Sequence, residues 1–255
     1  VFATIGELFA ERSGVLNLGI EGIMMFGAMT GFSTAYFTSS PWLGILAAML
    51  TGMLMAGLMG FLTVSLGLSQ HVSGIGITML STGFAFFFYR LFFGQPSTLP
   101  NIKAFTPVGI PVLKDIPWIG PVLFEQTTLT YLAFAVVPLA AFLLYKTPWG
   151  LNLRTVGENP HAADSAGVSV SAMRYQGLII SGALMGIAGA FLVMVQFNAF
   201  TFGVISGRGW ICIALVVFGQ WGPWKSAAGA LLFALIDALQ LRLQASSIID
   251  LPYQV

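Results

Sequence analysis

"LGILAAMLTGMLMAGLMGFLTVSL", residues 43–66, contains no aspartate, glutamate, lysine or arginine. A helix that crosses a lipid bilayer needs about 20 predominantly apolar residues, and this stretch exceeds that length. It lies inside a longer uncharged segment between Glu21 and Arg90, which has room for further helices of the same kind. The fold is therefore governed by the rule that backbone groups in lipid must find hydrogen-bond partners within the protein.

The whole chain has the same character. Of its 255 residues, 57% are hydrophobic and 7% are charged, against about 25% charged in an ordinary soluble domain. Two further uncharged stretches run from Gln126 to Tyr145 and from Tyr175 to Gly207. Only helices and closed barrels satisfy the backbone in lipid, and these runs lack the alternation of barrel strands. The sequence predicts an all-α polytopic membrane protein, a helical bundle.

The apolar runs predict where the helices lie. We expect the tail of a helix at 1–12 and membrane spans at 17–38, 43–66, 72–94, 128–145, 175–197, 208–220 and 225–242. The chain opens in mid-pattern at Val1 and closes on "DLPYQV", which leads towards a further helix. The prediction is a single transmembrane domain, 1–255, trimmed at both ends.

Small residues recur at four-residue spacing within these runs. Such spacing lets helix backbones approach closely where no hydrophobic force drives association, so we interpret it as helix packing. The residues are Gly52, Ala56 and Gly60, then Gly182, Gly186 and Ala190, then Ala230, Ala234 and Ala238.

Two polar segments interrupt the apolar pattern. The first, 95–127, holds six prolines and predicts an ordered loop or cap outside the membrane. The second is "RTVGENPHAADSAGVSV", 154–170. In it Asn159 can cap a helix that begins at Pro160, and Gly167 can end that helix after about two turns. The pattern predicts a short, stiff helix between two spans.

The sequence also contains a weak internal repeat. "GIEGIMMFGAMTGF" from Gly19 resembles "SGRGWICIALVVFGQW" from Ser206, because in each a glycine-flanked charge precedes an apolar run. A Pro-Trp pair follows each copy, at 41–42 and 223–224. The copies fall on the first and sixth predicted spans, an odd offset that predicts opposite directions through the membrane. Inverted repeats are typical of transporters, and interrupted helices at matching positions point to the substrate path.

Charged residues inside a membrane are costly, so each needs a physical reason. Glu21 and Arg208 occupy matching positions at the starts of two apolar runs. They can face a polar cavity, pair with other residues or lie at the level of the lipid headgroups, and the sequence leaves these three open. Asp237, with Gln240 and Arg242, predicts a polar, interfacial end to the last span.

No enzyme site emerges from the sequence. His71 and His161 are far apart and lack a second ligand at metal spacing. There is no nucleophile elbow, no HExxH and no phosphate loop of the GxxxxGK[ST] type. The single cysteine, Cys212, excludes an internal disulfide, and the net charge of +1 gives no signal for nucleic acid. We expect no catalytic site, metal or cofactor in this chain.

Two motifs carry a resemblance to a known family. "ERSGVLNLGIEGIMMFGAMTGF" (11–32) and "GENPHAADSAGV" (157–168) resemble the signatures of permease subunits of bacterial ABC importers. That family serves simple sugars, branched-chain amino acids and nucleosides. The first motif has the form ERxGxxNxGxEG, closest to the nucleoside-type branch, and its residues here are Glu11, Arg12, Gly14, Asn17, Gly19, Glu21 and Gly22. The resemblance covers nearly the whole chain.

The resemblance implies a permease of the vitamin B12 and ribose importer architecture. In such permeases a short cytoplasmic helix, here 157–168, docks in a cleft of the ATPase, and the loop 95–127 lies outside the cytoplasm. The residues that match this coupling helix are Gly157, Glu158, Asn159, Pro160, Ala162, Ala163 and Gly167. The small side chains of Ala162, Ala163 and Ala166 would allow close docking. Candidate residues of the translocation path are Asn17, Glu21 and Arg208.

The implied partners are an ATPase subunit that holds ATP and Mg²⁺, a second permease in a heterodimer, an extracytoplasmic substrate-binding protein and the lipid of the bacterial inner membrane. The implied function is half of a path for nucleosides that works by alternating access. Sugars and branched-chain amino acids remain alternative substrates. An ATP-independent facilitator or secondary carrier is the alternative from another class, although such a carrier has no reason to keep the coupling-helix motif. A non-transporting membrane scaffold is a third possibility.

Overall fold

The computed structural model describes residues 1–94, 100–102, 105–109 and 125–245. Within them the chain is mostly helical, as the sequence predicts, and adds one short two-stranded sheet. The helices are α1 (Phe2–Arg12), α2 (Ile20–Thr38), α3 (Pro41–Gly60), α4 (Gln70–Phe93), α5 (Thr128–Lys146), α6 (Pro148–Glu158), α7 (Pro160–Ser165), α8 (Val170–Phe191), α9 (Arg208–Phe218) and α10 (Pro223–Ala245).

Among the described residues, four helical segments are long and apolar enough to cross a membrane: Pro41–Ser65, Gln70–Phe93, Thr128–Lys146 and Val170–Gln196. They confirm the spans predicted at 43–66, 72–94, 128–145 and 175–197. The spans predicted at 17–38 and 225–242 coincide with α2 and α10, helices of 19 and 23 residues. These two helices are not among the four apolar segments because polar and charged residues interrupt their sequences.

The helix predicted at 208–220 is confirmed in position as α9, which ends at Phe218, but it is too short to be a membrane span. α9 has 11 residues, about 16 Å at 1.5 Å per residue, whereas the hydrocarbon core of a bilayer is about 30 Å thick. Gln220 and Trp221 follow it with φ of +52° and +54°, a left-handed backbone that ends the helix. α9 is therefore a helix of about half the length of a span.

Small residues bring α3 and α8 into direct backbone contact. A Cβ atom added at Gly52 would collide with the carbonyl oxygen of Gly182, and one added at Gly186 would collide with that of Ala48. α2 joins the same crossing, because a Cβ at Gly27 would lie 2.6 Å from the Cα of Gly186. The glycine spacing in α3 and α8 therefore serves helix packing, as the sequence predicts.

α3 and α8 both end in a π-helical turn, which the apolar pattern does not reveal. The turns are Phe61–Ser65 and Leu192–Gln196. In each, an amide reaches back five residues to a carbonyl oxygen, from Leu66 at 3.1 Å and from Phe197 at 2.9 Å. Such turns hold one extra residue and frequently lie at functional positions.

The segment predicted as a loop, 95–127, is described only in part. β1 (Pro107–Gly109) pairs with β2 (Glu125–Thr127) in antiparallel register, with Val108 opposite Gln126. The ring of Phe105 packs edge-on against Trp42 at the start of α3, with centroids 5.5 Å apart. The described part of the loop thus closes over one end of the bundle. Lys103, Lys114 and Asp115 lie outside the described residues, as do the terminal "DLPYQV" and the side chain of Arg242.

Candidate functional site

A short capped helix, α7, lies between two longer helices. The Asn159 side chain accepts a hydrogen bond of 3.0 Å from the amide three residues further on, and Pro160 occupies the first helical position. Gly167 follows the helix with φ of +82°, and the Val168 amide bonds back to the Ala163 oxygen at 3.0 Å. This closing pattern is a Schellman motif. The caps predicted at Asn159, Pro160 and Gly167 are confirmed.

The motif 157–168 is not one helix. Gly157 and Glu158 are the last residues of α6, and Asn159 breaks the backbone at φ −148° and ψ 91°. α6 was not expected from the sequence. The signal for it is Thr147, whose side chain accepts from the Gly150 amide at 3.1 Å directly before a proline at the first helical position.

α7 stands out from the protein on one face only. Ala162 and Asp164 are exposed, whereas Ala163 is fully buried. The expectation that Ala163 meets a partner directly is therefore corrected: its methyl group faces the chain's own packing and fastens α7 to it. Of the residues predicted to contact a partner, Glu158, Asn159, Ala162 and Gly167 are exposed, and Gly157 and Pro160 are half-buried.

α6 rests on the end of α1 through glycine. A Cβ atom at Gly157 would collide with the carbonyl oxygen of Arg12, and the Cα of Gly157 lies 3.3 Å from a Cβ placed at Gly14. Gly14 itself has φ of +83°, a conformation that other residues rarely adopt. The glycines of the two sequence motifs therefore meet in space.

Around this contact lies a group that we call the Arg12 cluster: Glu11, Arg12, Tyr145, Glu158 and Trp221. Arg12 donates to the Trp221 carbonyl from Nε at 3.0 Å and from Nη2 at 2.9 Å. It also donates to the Tyr145 hydroxyl at 3.1 Å and lies 3.9 Å from the Glu158 carboxylate. The indole N–H of Trp221 donates to Glu11. One guanidinium thus ties together α1, α5, α6 and the turn before α10.

A cavity of about 640 Å³ opens beside the Arg12 cluster. Its polar lining comes from Glu11, Arg12, Gln70, Arg154, Glu158 and Trp221. Arg154, on α6, lies with its guanidinium carbon 4.8 Å from the centre of the Tyr145 ring. Sequence reasoning noted Glu11 and Arg12 as part of a motif but assigned them no role, because their partners lie 133 to 210 residues away.

Glu21 binds the start of α9. Its Oε1 accepts from the Gly207 amide at 2.7 Å, and its Oε2 accepts from the Gly209 amide at 2.8 Å. The first amides of a helix have no partner within the helix, and a carboxylate there also interacts favourably with the helix dipole. The two copies of the sequence repeat are therefore in direct contact through this carboxylate.

Arg208 pairs with Asp237 on α10. Nη2 of Arg208 donates to Oδ2 of Asp237 at 3.3 Å, and the two side chains are 27% and 31% exposed. The polar end predicted around Asp237 includes, at this residue, an ion pair between α9 and α10, and its interfacial position stays a prediction. Of the three readings left open for Glu21 and Arg208, pairing fits both, although each pairs with a different group.

The Arg208–Asp237 pair lines a second cavity, of about 390 Å³. Most of its other walls are apolar, with Phe2, Phe191 and Cys212 among them. The described residues include no group of three or more histidine, cysteine, aspartate or glutamate side chains that could hold a metal ion. The cavity is therefore suited to a small organic molecule with both apolar and polar parts.

Asn17 is fully buried and shapes the bend between α1 and α2. Its side-chain oxygen accepts a hydrogen bond of 3.0 Å from the Gly19 amide, and its main-chain N–H donates to the Glu7 carboxylate at 3.1 Å. The Asn17 side-chain nitrogen reaches the Met185 sulfur at 3.7 Å. Sequence reasoning missed Glu7, whose signal is a carboxylate flanked by apolar residues in the middle of α1. Asn17 thus organises the backbone beside Glu21, and the lining of the second cavity comes from other residues.

Comparisons with known proteins identify the family of the chain. Residues 1–250 match the family model described as branched-chain amino acid transport system, permease component. TsgC13 of Haloferax volcanii, provisionally named a glucose ABC transporter permease protein, is 41% identical over 97% of this chain and 75% of its own length. The guanosine ABC transporter permease protein NupQ of Bacillus subtilis is 38% identical over 94% of this chain and 78% of its own.

The nucleoside ABC transporter permease protein NupC of Lactococcus lactis subsp. cremoris is 37% identical over 94% of this chain and 77% of its own length. No solved structure matches the chain. The family model covers nearly all of the sequence, and relatives above 30% identity cover 94% to 97% of it. The chain therefore belongs to the family of ABC transporter permease components that includes those of branched-chain amino acid transport systems.

Proposed function

We propose that this chain is one of two permease subunits of an ATP-driven importer of the cytoplasmic membrane, and that it carries nucleosides by alternating access. A partner ATPase binds ATP and Mg²⁺, and its nucleotide-binding subunits close when ATP binds. This closure pushes on α7. A second permease completes the path, and a substrate-binding protein delivers the ligand from outside the cytoplasm. This chain supplies half of the path and the docking helix, and it performs no catalysis.

The observation that carries the proposal is the geometry of α7. It is held at both ends by its own caps, fastened underneath by Ala163 and exposed on the opposite face. A helix fixed in this way can pass on a push, whereas an ordinary loop would absorb it. The secondary carrier, the alternative class, has no use for a rigid exposed helix between two spans.

We further propose that α2–α3 and α9–α10 are the two copies of an inverted repeat in a vitamin B12 and ribose importer-like architecture. A proline begins the second helix of each pair, at Pro41 and Pro223. The first helix of each pair begins beside the other copy, at the Glu21 carboxylate. α9 is shorter than α2, so we propose the repeat for the order of elements and not for their lengths.

Nucleosides are the proposed substrate because two relatives of similar identity carry guanosine or nucleosides in their names. The cavity beside Arg208 combines aromatic rings with an ion pair, which suits a flat base joined to a hydroxylated sugar. Glucose is the second candidate, since the name of a relative at 41% identity refers to it. Branched-chain amino acids remain a third, on the family description.

The class of protein is tested by purifying the tagged full chain from its own cells. We expect an ATPase and a second permease to purify with it, and we expect vesicles that contain the complex to take up substrate only with ATP. Vesicles that contain this chain alone should show no uptake. ATP-independent uptake by the isolated chain would support the carrier and remove the proposal.

The substrate is tested in the same vesicles by competition. Labelled guanosine uptake should be suppressed by unlabelled nucleosides and should persist with excess glucose or leucine. Suppression by glucose alone, together with direct uptake of labelled glucose, would identify the substrate as a sugar. The proposal of an ATP-driven permease would then still stand.

A further inference from the structure

The Arg12 cluster holds a strained turn. Gln220 and Trp221 are consecutive non-glycine residues in the left-handed region, with φ of +52° and +54°. Such conformations persist where surrounding contacts fix them, and they concentrate at functional sites. Here Trp221 is fixed twice by neighbouring residues of α1, since Glu11 binds its indole and Arg12 binds its carbonyl oxygen. The turn between α9 and α10 is thus fixed by contacts to the end of α1.

The same guanidinium faces the base of α7. Glu158 is the last residue of α6 and directly precedes Asn159, which caps α7. Its carboxylate lies 3.9 Å from Arg12, and the neighbouring Gly157 rests on the Arg12 carbonyl oxygen without room for a side chain. A displacement of α7 that carries α6 with it therefore reaches Arg12 through main-chain contact as well as through charge.

α9 connects the Arg12 cluster to the polar contacts of Glu21 and Arg208. Its last turn leads into Gln220 and Trp221, and its first amides are held by Glu21. Arg208, at its first position, pairs with Asp237. A helix of 11 residues fixed at both ends transmits a displacement of one end to the other.

We propose that Arg12 is a positioning residue that transmits movement of α7 to α9 through Trp221, and so to the contacts of Glu21 and Arg208. The inference deepens the proposed function and rests on it for the source of the push. Arg12 can do this because its planar fork binds the Trp221 oxygen from two nitrogens and the Tyr145 hydroxyl at once. A lysine carries the same charge but has a single flexible ammonium group, and it cannot reproduce this geometry.

The first test uses the co-purified complex in vesicles and compares Arg12→Lys and Arg12→Gln with Arg90→Gln. Arg90 lies in the last turn of α4, at the end opposite to Gln70. For both Arg12 variants we expect uptake per ATP hydrolysed to fall by roughly tenfold, the effect of losing strong directed hydrogen bonds, with the complex still assembled. Arg90→Gln should keep the wild-type ratio. A wild-type ratio in Arg12→Lys, or uptake and hydrolysis that fall together with the amount of complex, would overturn the proposal.

The second test needs no transport, so it separates this inference from the proposed function. Gly157→Ala forces α6 away from Arg12, whereas Gly57→Ala places the same methyl group in open space. Hydrogen exchange of the purified protein should rise at the amides of 219–222 in Gly157→Ala and not in Gly57→Ala. In the Arg12→Gln background, Gly157→Ala should add little further exchange there. Unchanged exchange at 219–222 in Gly157→Ala would refute the link even if the importer is confirmed.

Discussion

The carboxylate of Glu21 holds the first turn of α9 at Gly209. The Gly209 amide donates to Oε2 of Glu21 at 2.8 Å, and a Cβ atom at position 209 would lie 2.6 Å from the same oxygen. The missing side chain at 209 is what lets a carboxylate on another helix reach this N-terminus. Two segments 188 residues apart in the sequence are thereby joined at one point.

Glu21→Gln should weaken this joint. The two carboxylate oxygens each accept one amide, whereas a glutamine offers one acceptor oxygen and turns an NH₂ group towards the other amide. We expect a loss of about 1–2 kcal/mol in stability, as for the loss of a helix cap, and a several-fold drop in uptake per assembled complex. Glu125→Gln, at an exposed strand position, is the control. Wild-type uptake and melting temperature in Glu21→Gln would leave Glu21 without a role in transport.

Gly209→Ala tests the same joint from the other side. The new methyl group would meet the Glu21 side-chain oxygen and, at 2.8 Å, its Cα atom, so that α2 and α9 must separate. Overpacking of this kind costs about 1–3 kcal/mol. Gly83→Ala, a helical glycine with open space around it, should change stability by much less. Thermal unfolding of the two purified variants decides between them, and equal melting temperatures would contradict the described contact.

The effects of Arg208→Gln and Asp237→Asn on stability and uptake should be coupled. Each single change leaves a partly exposed charge inside the bundle without its partner, whereas the double change removes both charges. We expect the double variant to lose less stability and less uptake than the sum of the singles, with an interaction free energy on the order of 1 kcal/mol. Strict additivity in a double-mutant cycle would show that the 3.3 Å pair contributes nothing to the working protein.

Substitutions on the exposed face of α7 should leave the fold intact but should impair coupling to the ATPase. Pro160→Arg and Ala162→Arg place a bulky charge where the ATPase is proposed to dock, so substrate-stimulated ATP hydrolysis should be abolished while the permease still inserts. Ala163→Arg should act differently, because its site is fully buried and the change destabilises the chain itself. The readouts are the amount of inserted permease and the stimulated hydrolysis per complex. Normal stimulation in Ala162→Arg would place the docking surface elsewhere.

Local signals in the sequence predicted much of the fold. The uncharged runs predicted the four long apolar helices, and the pattern from Asn159 to Gly167 predicted both caps of α7, because a cap depends on residues three or four positions away. α6 was missed although Thr147 and Pro148 form an equally local start signal. Its short length and its mixture of apolar and polar residues did not resemble a span.

The candidate site was harder to predict from the sequence than the fold, for a physical reason. Glu21 and Arg208 were found because charges in apolar runs are rare, but their partners depend on packing between distant segments. The same limit applies to Arg12, whose contacts come from α5, α6 and the turn before α10. The helix at 208–220 was located correctly as α9, but the contacts that hold this short helix at its start come from a residue 188 positions away.

The glycine crossing of α2, α3 and α8 limits which parts of the chain can move. Sliding between packed helices is accommodated by small rearrangements of the side chains that separate them. At Gly27, Gly52 and Gly182 the main chains touch and no such layer exists. These three helices must therefore travel as one stiff body, and a change of shape has to be concentrated at the polar contacts of α9. Slow hydrogen exchange throughout the crossing and faster exchange at the two ends of α9 would be the physical signature of this division.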